Sequence, residues 1–349
     1  LIRSYTRLEH KAHAQFWAPF QSETGLLYFG NQLAVLEFDG REWRVLRTPQ
    51  PFTRAMASGP SGSIYIGDEE ALGVIERAAD GTMSHRSLLS ELPAAARPFG
   101  FVRDIVPWRG TVYFATDRAL LGWRDGGFRA WPLEGTARNR LSLVADQLFL
   151  HRQGEALFSF DGEALSEVSR APEFRSEGAS FVVAGPEPGT LLVGFEQAGL
   201  FVLRDGTLRP WPNAAAAILR RAAVQCGRRL RDGALAVGTL REGVIILSGD
   251  GSLERQVTKE SGLPHPSVIA LLEDRDGNLW VSTRQGPARV DWRTPVSQFD
   301  HVHSGITDAR AQAFTRHDGT LWYLSSDGLY RLVPSAEPGI PARFERDAR

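Results

Sequence analysis

One cysteine, Cys226, is all that the 349-residue chain contains. An intramolecular disulfide is therefore excluded, and so is any metal site built on several thiolates. A single thiol suits the cytoplasm and equally a bacterial periplasm, because a large core needs no covalent staple. Charge of one sign is also missing. With 40 basic and 41 acidic residues the net charge is -1, so the whole-protein field recruits no polyanion and no nucleic-acid partner is expected. No run approaches the roughly 18 apolar residues that a membrane span requires. The first residue is Leu1, with no basic-then-apolar leader after it. The chain is read as a mature or excised piece whose targeting and membrane segments lie outside it.

What is abundant is turn chemistry and a repeat. The 35 glycines and 20 prolines punctuate a pattern of a polar turn, three or four apolar residues and a small residue. It reads GLLYFGN from Gly25, GSIYIGD from Gly62, GTVYFAT from Gly110 and DQLFLHR from Asp146. It continues as GTLLVGF from Gly189, GALAVGT from Gly233, GNLWVST from Gly277 and GTLWYLS from Gly319. The spacing averages about 42 residues, the length of a four-stranded propeller blade. A second alternating segment follows each, often ending in Asp-Gly, a signal for a tight hairpin. A short strand with a bulky residue comes next (Trp43, Trp131, Trp211, Phe299), and an apolar run precedes each glycine turn.

Four short strands per period without helical periodicity predict an all-β fold, a β-propeller of four-stranded antiparallel blades. A lone blade cannot bury both of its faces, whereas blades stacked around an axis can. The expected blades span roughly 9–48, 49–90, 98–133, 138–170, 177–212, 220–258, 265–301 and 308–349 of a single domain, with strand 3–8 closing the ring. Two closures fit: an eight-bladed ring, or a seven-bladed ring plus the first blade of a second propeller. The Ala-rich stretches 88–99 and 213–223 are read as inter-blade loops with room for a helical turn.

The stretch GLPHPSVIALLEDRDGNLWVSTRQGPARVD, from Gly262 to Asp291, resembles the two-component regulator propeller repeat, departing mainly at Pro287. GLLYFGNQLAVLEFDGREW, from Gly25 to Trp43, is similar to the same repeat. The resemblance implies an extracytoplasmic or periplasmic sensor propeller of a bacterial transmembrane signalling protein, often one of two in tandem. The output there is a histidine kinase or a diguanylate cyclase, and many members in gut bacteria respond to glycans.

Other motifs have plainer roles. DRDGN (Asp274 to Asn278) begins like a calcium loop, but its twelfth position is Gln285 and not a bidentate glutamate, so a hairpin turn is expected. An Asp-box reading fails for want of an arginine triad and a tyrosine nucleophile. The histidines, among them the pairs His10/His13 and His301/His303, are read as solvated loop residues rather than ligands. Trp280 and Trp322 fill a repeated core slot. The candidate ligand-binding residues are Trp17, Arg54, Arg103, Arg241 and Arg284, expected on one rim of the central channel. No catalytic residue, metal or cofactor is expected. The expected ligand is an unidentified small molecule, a glycan or an anion, with a second propeller and a dimer copy as further partners. An interaction scaffold without small ligand is the alternative, and a glycan-active lyase or sialidase-like hydrolase ranks last.

Overall fold

The computed structural model describes residues 1–347 apart from 33, 49–52, 60–61, 79, 294–304, 307–311 and 335–341. Its strands make eight four-stranded antiparallel sheets. The turn chemistry decides where each hairpin folds back. At Asp125-Gly126, for example, both residues have positive φ (49° and 82°), and Arg124 pairs with Gly127 across the two-residue loop. That geometry matches the natural twist of paired strands.

Seven sheets form a closed ring. Their innermost strands are Phe16–Gln21, Ala55–Ser58, Val102–Trp108, Asn139–Val144, Ala179–Ala184, Val224–Arg229 and Val268–Glu273. Each lies beside the innermost strand of the next sheet, and the seventh lies beside the first. Apolar clusters fill the wedges between neighbouring sheets. The wedge that joins the seventh sheet to the first holds Phe16, Phe29, Phe38 and Trp280.

The ring is clasped by the N-terminus. Ile2–Ser4 pairs with Gly286–Val290 and supplies the seventh sheet with its outermost strand. Tyr5 N–H donates to the Pro287 carbonyl at 3.0 Å, and Asp291 N–H donates to the Leu1 carbonyl at 2.7 Å. The clasp is thus residues 2–4 and not 3–8. The sequence Thr6-x-x-Glu9 is a helix-start signature, Thr6 N–H donates to the Glu9 carboxylate at 2.7 Å, and Arg7–His10 becomes one helical turn. Phe299 and the histidine pair 301/303 lie outside the described residues.

The eighth sheet (Ala313–His317, Thr320–Ser325, Gly328–Val333 and Arg343–Arg346) packs a small cluster of its own around Tyr323, Tyr330 and Phe344. None of its described residues joins the clusters of the ring.

Three single residues are placed by their surroundings. Asp274 accepts the backbone N–H groups of Asp276 and Asn278 and the Trp280 indole N–H at 2.8 Å, so its carboxylate organises a turn. His10 and His151 are buried, not solvated: His10 packs edge-on against Phe16, and His151 sits in the second strand of the fourth sheet. Among the described residues no group of three His, Cys, Asp or Glu side chains is placed to hold a metal ion.

Candidate functional site at the channel mouth

Each inner strand begins at a buried residue, or in the second sheet two residues after one: Phe16, Thr53, Val102, Asn139, Ala179, Val224 and Val268. The next residue therefore holds an equivalent place around the axis, at the mouth of the central channel. In chain order these residues are Trp17, Arg54, Arg103, Arg140, Ser180, Gln225 and Ile269. In blades three, five, six and seven the strand register slips at this residue. Such a bulge leaves one side chain out of the ladder and re-aims it.

Packing does not dictate this ring of positions, and its chemistry is uneven. Blades one to four supply an aromatic ring and three guanidinium groups, whereas blades five to seven supply Ser180, Gln225 and Ile269. The Arg54 guanidinium stands 5.7 Å from the Trp17 ring centroid and 5.2 Å from that of Phe101. Arg103 covers Phe101 at 4.7 Å. The mouth thus carries a continuous run of Trp17, Arg54, Phe101 and Arg103, in which cations lie over ring faces.

Carboxylates fix each cation. Arg103 Nε donates to Asp117 Oδ1 at 2.7 Å and Nη2 to Oδ2 at 3.2 Å, a bidentate pair. Arg140 Nε donates to Asp104 of the preceding blade at 3.0 Å. Arg54 lies 3.6 Å from Asp68, whose pKa burial raises against the opposing pull of Arg54 and Arg103. The Arg54 side chain keeps 43% of its surface exposed and Arg103 keeps 26%, so both remain open to a ligand.

Further round, a small cavity of about 50 Å³ between blades four and six is lined by Arg138, Arg140, His151, Glu177, Glu196 and Gln225. Burial, and next the Arg140 charge, lower the His151 pKa to about 3, so its imidazole is neutral and a weak base. Burial raises Cys226 on the neighbouring inner strand to about 12, which keeps the thiol protonated and unreactive.

Three of the five sequence candidates, Trp17, Arg54 and Arg103, therefore meet. The other two have neighbours of their own. Arg241 donates to the Arg221 carbonyl at 2.8 Å, and Arg284 stands near His265, whose pKa is lowered by burial and by that positive charge. Phe101 and Arg140 were missed. Counting back from the glycine turn would have found Arg140, but bulges and unequal hairpins shift the count, by seven residues from Gly110 to Arg103 and six from Asp146 to Arg140.

No curated protein matches the chain by sequence. Solved structures do match its fold. The extracellular domain of the putative hybrid two component system BT3049 from B. thetaiotaomicron superposes with a TM-score of 0.71 at 14% identity, over 98% of this chain and 48% of that one. The extracellular domain of the putative one component system BT4673 from the same organism gives 0.67 at 15% identity, over 100% and 48%. The chain thus spans about half the length of these extracellular domains. Virginiamycin B lyase from Staphylococcus aureus gives 0.66 at 11% identity, over 83% of this chain and 98% of the lyase. The profile of the two component regulator propeller matches residues 262–285, the stretch that builds the Asp274 turn and carries Trp280. The chain is a β-propeller that carries, at residues 262–285, a repeat matching the two component regulator propeller model.

Proposed function

We propose that this propeller is the ligand-sensing part of an extracytoplasmic module in a bacterial transmembrane signalling protein, and that it acts by binding without catalysis. The observation that carries the reading is the run of Trp17, Arg54, Phe101 and Arg103 at the channel mouth. Beyond their pairing with Asp68 and Asp117, Arg54 and Arg103 keep exposed surface. Their combination of ring faces and paired guanidinium groups suits a small polar ligand, a glycan or an organic anion. The extracellular domains it resembles belong to signalling systems, which supports the assignment. On this reading the eighth sheet is the first blade of a second propeller, and a ligand that binds one arrangement of the two better than another shifts the output.

A lyase reading gains nothing from the mouth, since His151 is held neutral and is a poor base. The test is a thermal-shift screen of glycans and organic acids followed by calorimetry on Arg54→Ala and Arg103→Ala. A ligand whose affinity falls at least about tenfold in both variants supports the site, the loss expected for one charge-assisted hydrogen bond. A ligand that binds both variants as tightly as the parent sinks it.

A further inference from the structure

The seven wedges of the ring are not closed alike. Six carry an aromatic ring on or beside their third and fourth strands: Trp43, Phe128, Trp131, Phe201, Trp211 and Trp292. Among the described residues, the wedge between the first and second sheets has the aliphatic side chains of Val35, Leu46, Ile75 and Met83 at that level. It stays open as a groove of about 430 Å³ on the outer side of the ring, a volume typical of small-molecule sites.

A buried charge lies at the base of the groove. Glu37 has a side chain only 2% exposed, accepts the Tyr28 hydroxyl at 2.7 Å and pairs with Arg77 at 2.9 Å. Arg77 comes from the facing blade, whereas Arg44, opposite Glu37 in the same sheet, reaches the other carboxylate oxygen at 3.4 Å. Arg47 lines the same groove from an exposed position. Three guanidinium groups therefore stand against one carboxylate. His85 also lines the groove, but burial lowers its pKa, so it adds no charge at neutral pH. The residual charge is positive, and beside it lies an aliphatic wall of Leu46, Ile75 and Met83.

We propose that this groove is a second binding site, separate from the channel mouth, for a small aliphatic carboxylate. The carboxylate would meet the outward N–H groups of Arg44 and Arg47, while the hydrocarbon part covers Leu46, Ile75 and Met83. An uncharged ligand would leave the surplus cations without a partner, and a fully polar anion would leave the aliphatic wall wet.

Octanoate and its neutral isostere octanamide are the probes, titrated by calorimetry against the whole chain. Saturable octanoate binding is expected, with octanamide weaker by at least about tenfold, the equivalent of one charge-assisted contact. Arg47→Glu, at an exposed position, is expected to weaken octanoate by a similar factor, and Leu46→Trp, which fills the groove, to abolish it. Arg54→Ala is expected to leave octanoate binding in place, so failure of the channel-mouth reading and failure of this one are distinguishable. The proposal is overturned by equal binding of the two probes, by the absence of saturable octanoate binding, or by octanoate binding that survives Arg47→Glu.

Discussion

The seventh sheet and the eighth are written in nearly the same letters, GNLWVST and GTLWYLS, yet they have different physical surroundings. In the seventh, every residue of Leu279–Thr283 is buried and Trp280 is 1% exposed, with its indole N–H held by Asp274. In the eighth, Trp322 is half-buried with no partner for its indole N–H among the described residues, and Phe314 is 52% exposed. The strand pattern is thus the same in a blade with two neighbours and in one whose described residues join no cluster of the ring. The pattern makes a blade, and the neighbouring blades make the core.

The largest test of that contrast is removal of residues 1–10. It takes away the clasp strand together with Tyr5 and His10, both of which pack into the closing wedge. The loss of ring stability is expected to exceed about 5 kcal/mol, enough to unfold an ordinary domain, as read by urea denaturation. Removing residues 305–349 is expected to leave the urea midpoint of the ring nearly unchanged. If the two truncations behave alike, the ring does not close at seven.

Next comes the tryptophan pair. Trp280→Ala is expected to cost about 3–5 kcal/mol, because it empties a fully packed site and strands the Asp274 carboxylate. Trp322→Ala should cost less than about 1.5 kcal/mol in the same assay, since its ring has less to leave. Comparable costs would mean that the eighth sheet is buried against something in solution.

The ring also carries a pH dependence. Burial lowers the His10 pKa from 6.5 to about 4. The unfolded chain therefore takes up a proton at His10 between those values while the folded chain does not. Stability is complete above the unfolded pKa and declines as the pH falls from about 6.5 toward 4. The contribution of His10 between pH 8 and pH 5 is about 2 kcal/mol. Urea midpoints at the two pH values, in the parent and in His10→Phe, measure it. The variant should lose that part of the dependence.

The repeat, the hairpins and the strand count were legible because each is written locally, in glycine turns and alternating residues. What was illegible depended on closure. The clasp was read over 3–8 because the strand-like alternation around Arg3 hides the competing Thr6-x-x-Glu9 helix start. The mouth was half legible: Trp17, Arg54 and Arg103 were visible as odd residues in apolar strands, but Arg140 was hidden by the register shifts that bulges introduce. Arg241 and Arg284 lie in loops, where a residue's neighbours are set by its hydrogen bonds and not by strand period. The groove between the first two blades was invisible for another reason. An open wedge is marked by aliphatic side chains, among the described residues, where the other six wedges carry a ring, so it shows only by comparison.

The smallest expected effect is at Phe314, and it gives the sharpest form of the comparison. Its ring faces solvent for half of its surface, although it touches Tyr323 at a centroid distance of 5.1 Å. In this chain Phe314→Ser should change stability by no more than about 0.5 kcal/mol, as surface substitutions do. In a longer protein in which the eighth sheet is the first blade of a second propeller, the same face would be covered by a neighbour. There the substitution should cost about 3 kcal/mol, the lower range for loss of a buried aromatic side chain. A matched pair of denaturation curves therefore reports whether the eighth sheet acquires the neighbour that the ring sheets already have. An equal, small effect in both would remove the second propeller from the functional reading and leave the channel mouth to stand alone.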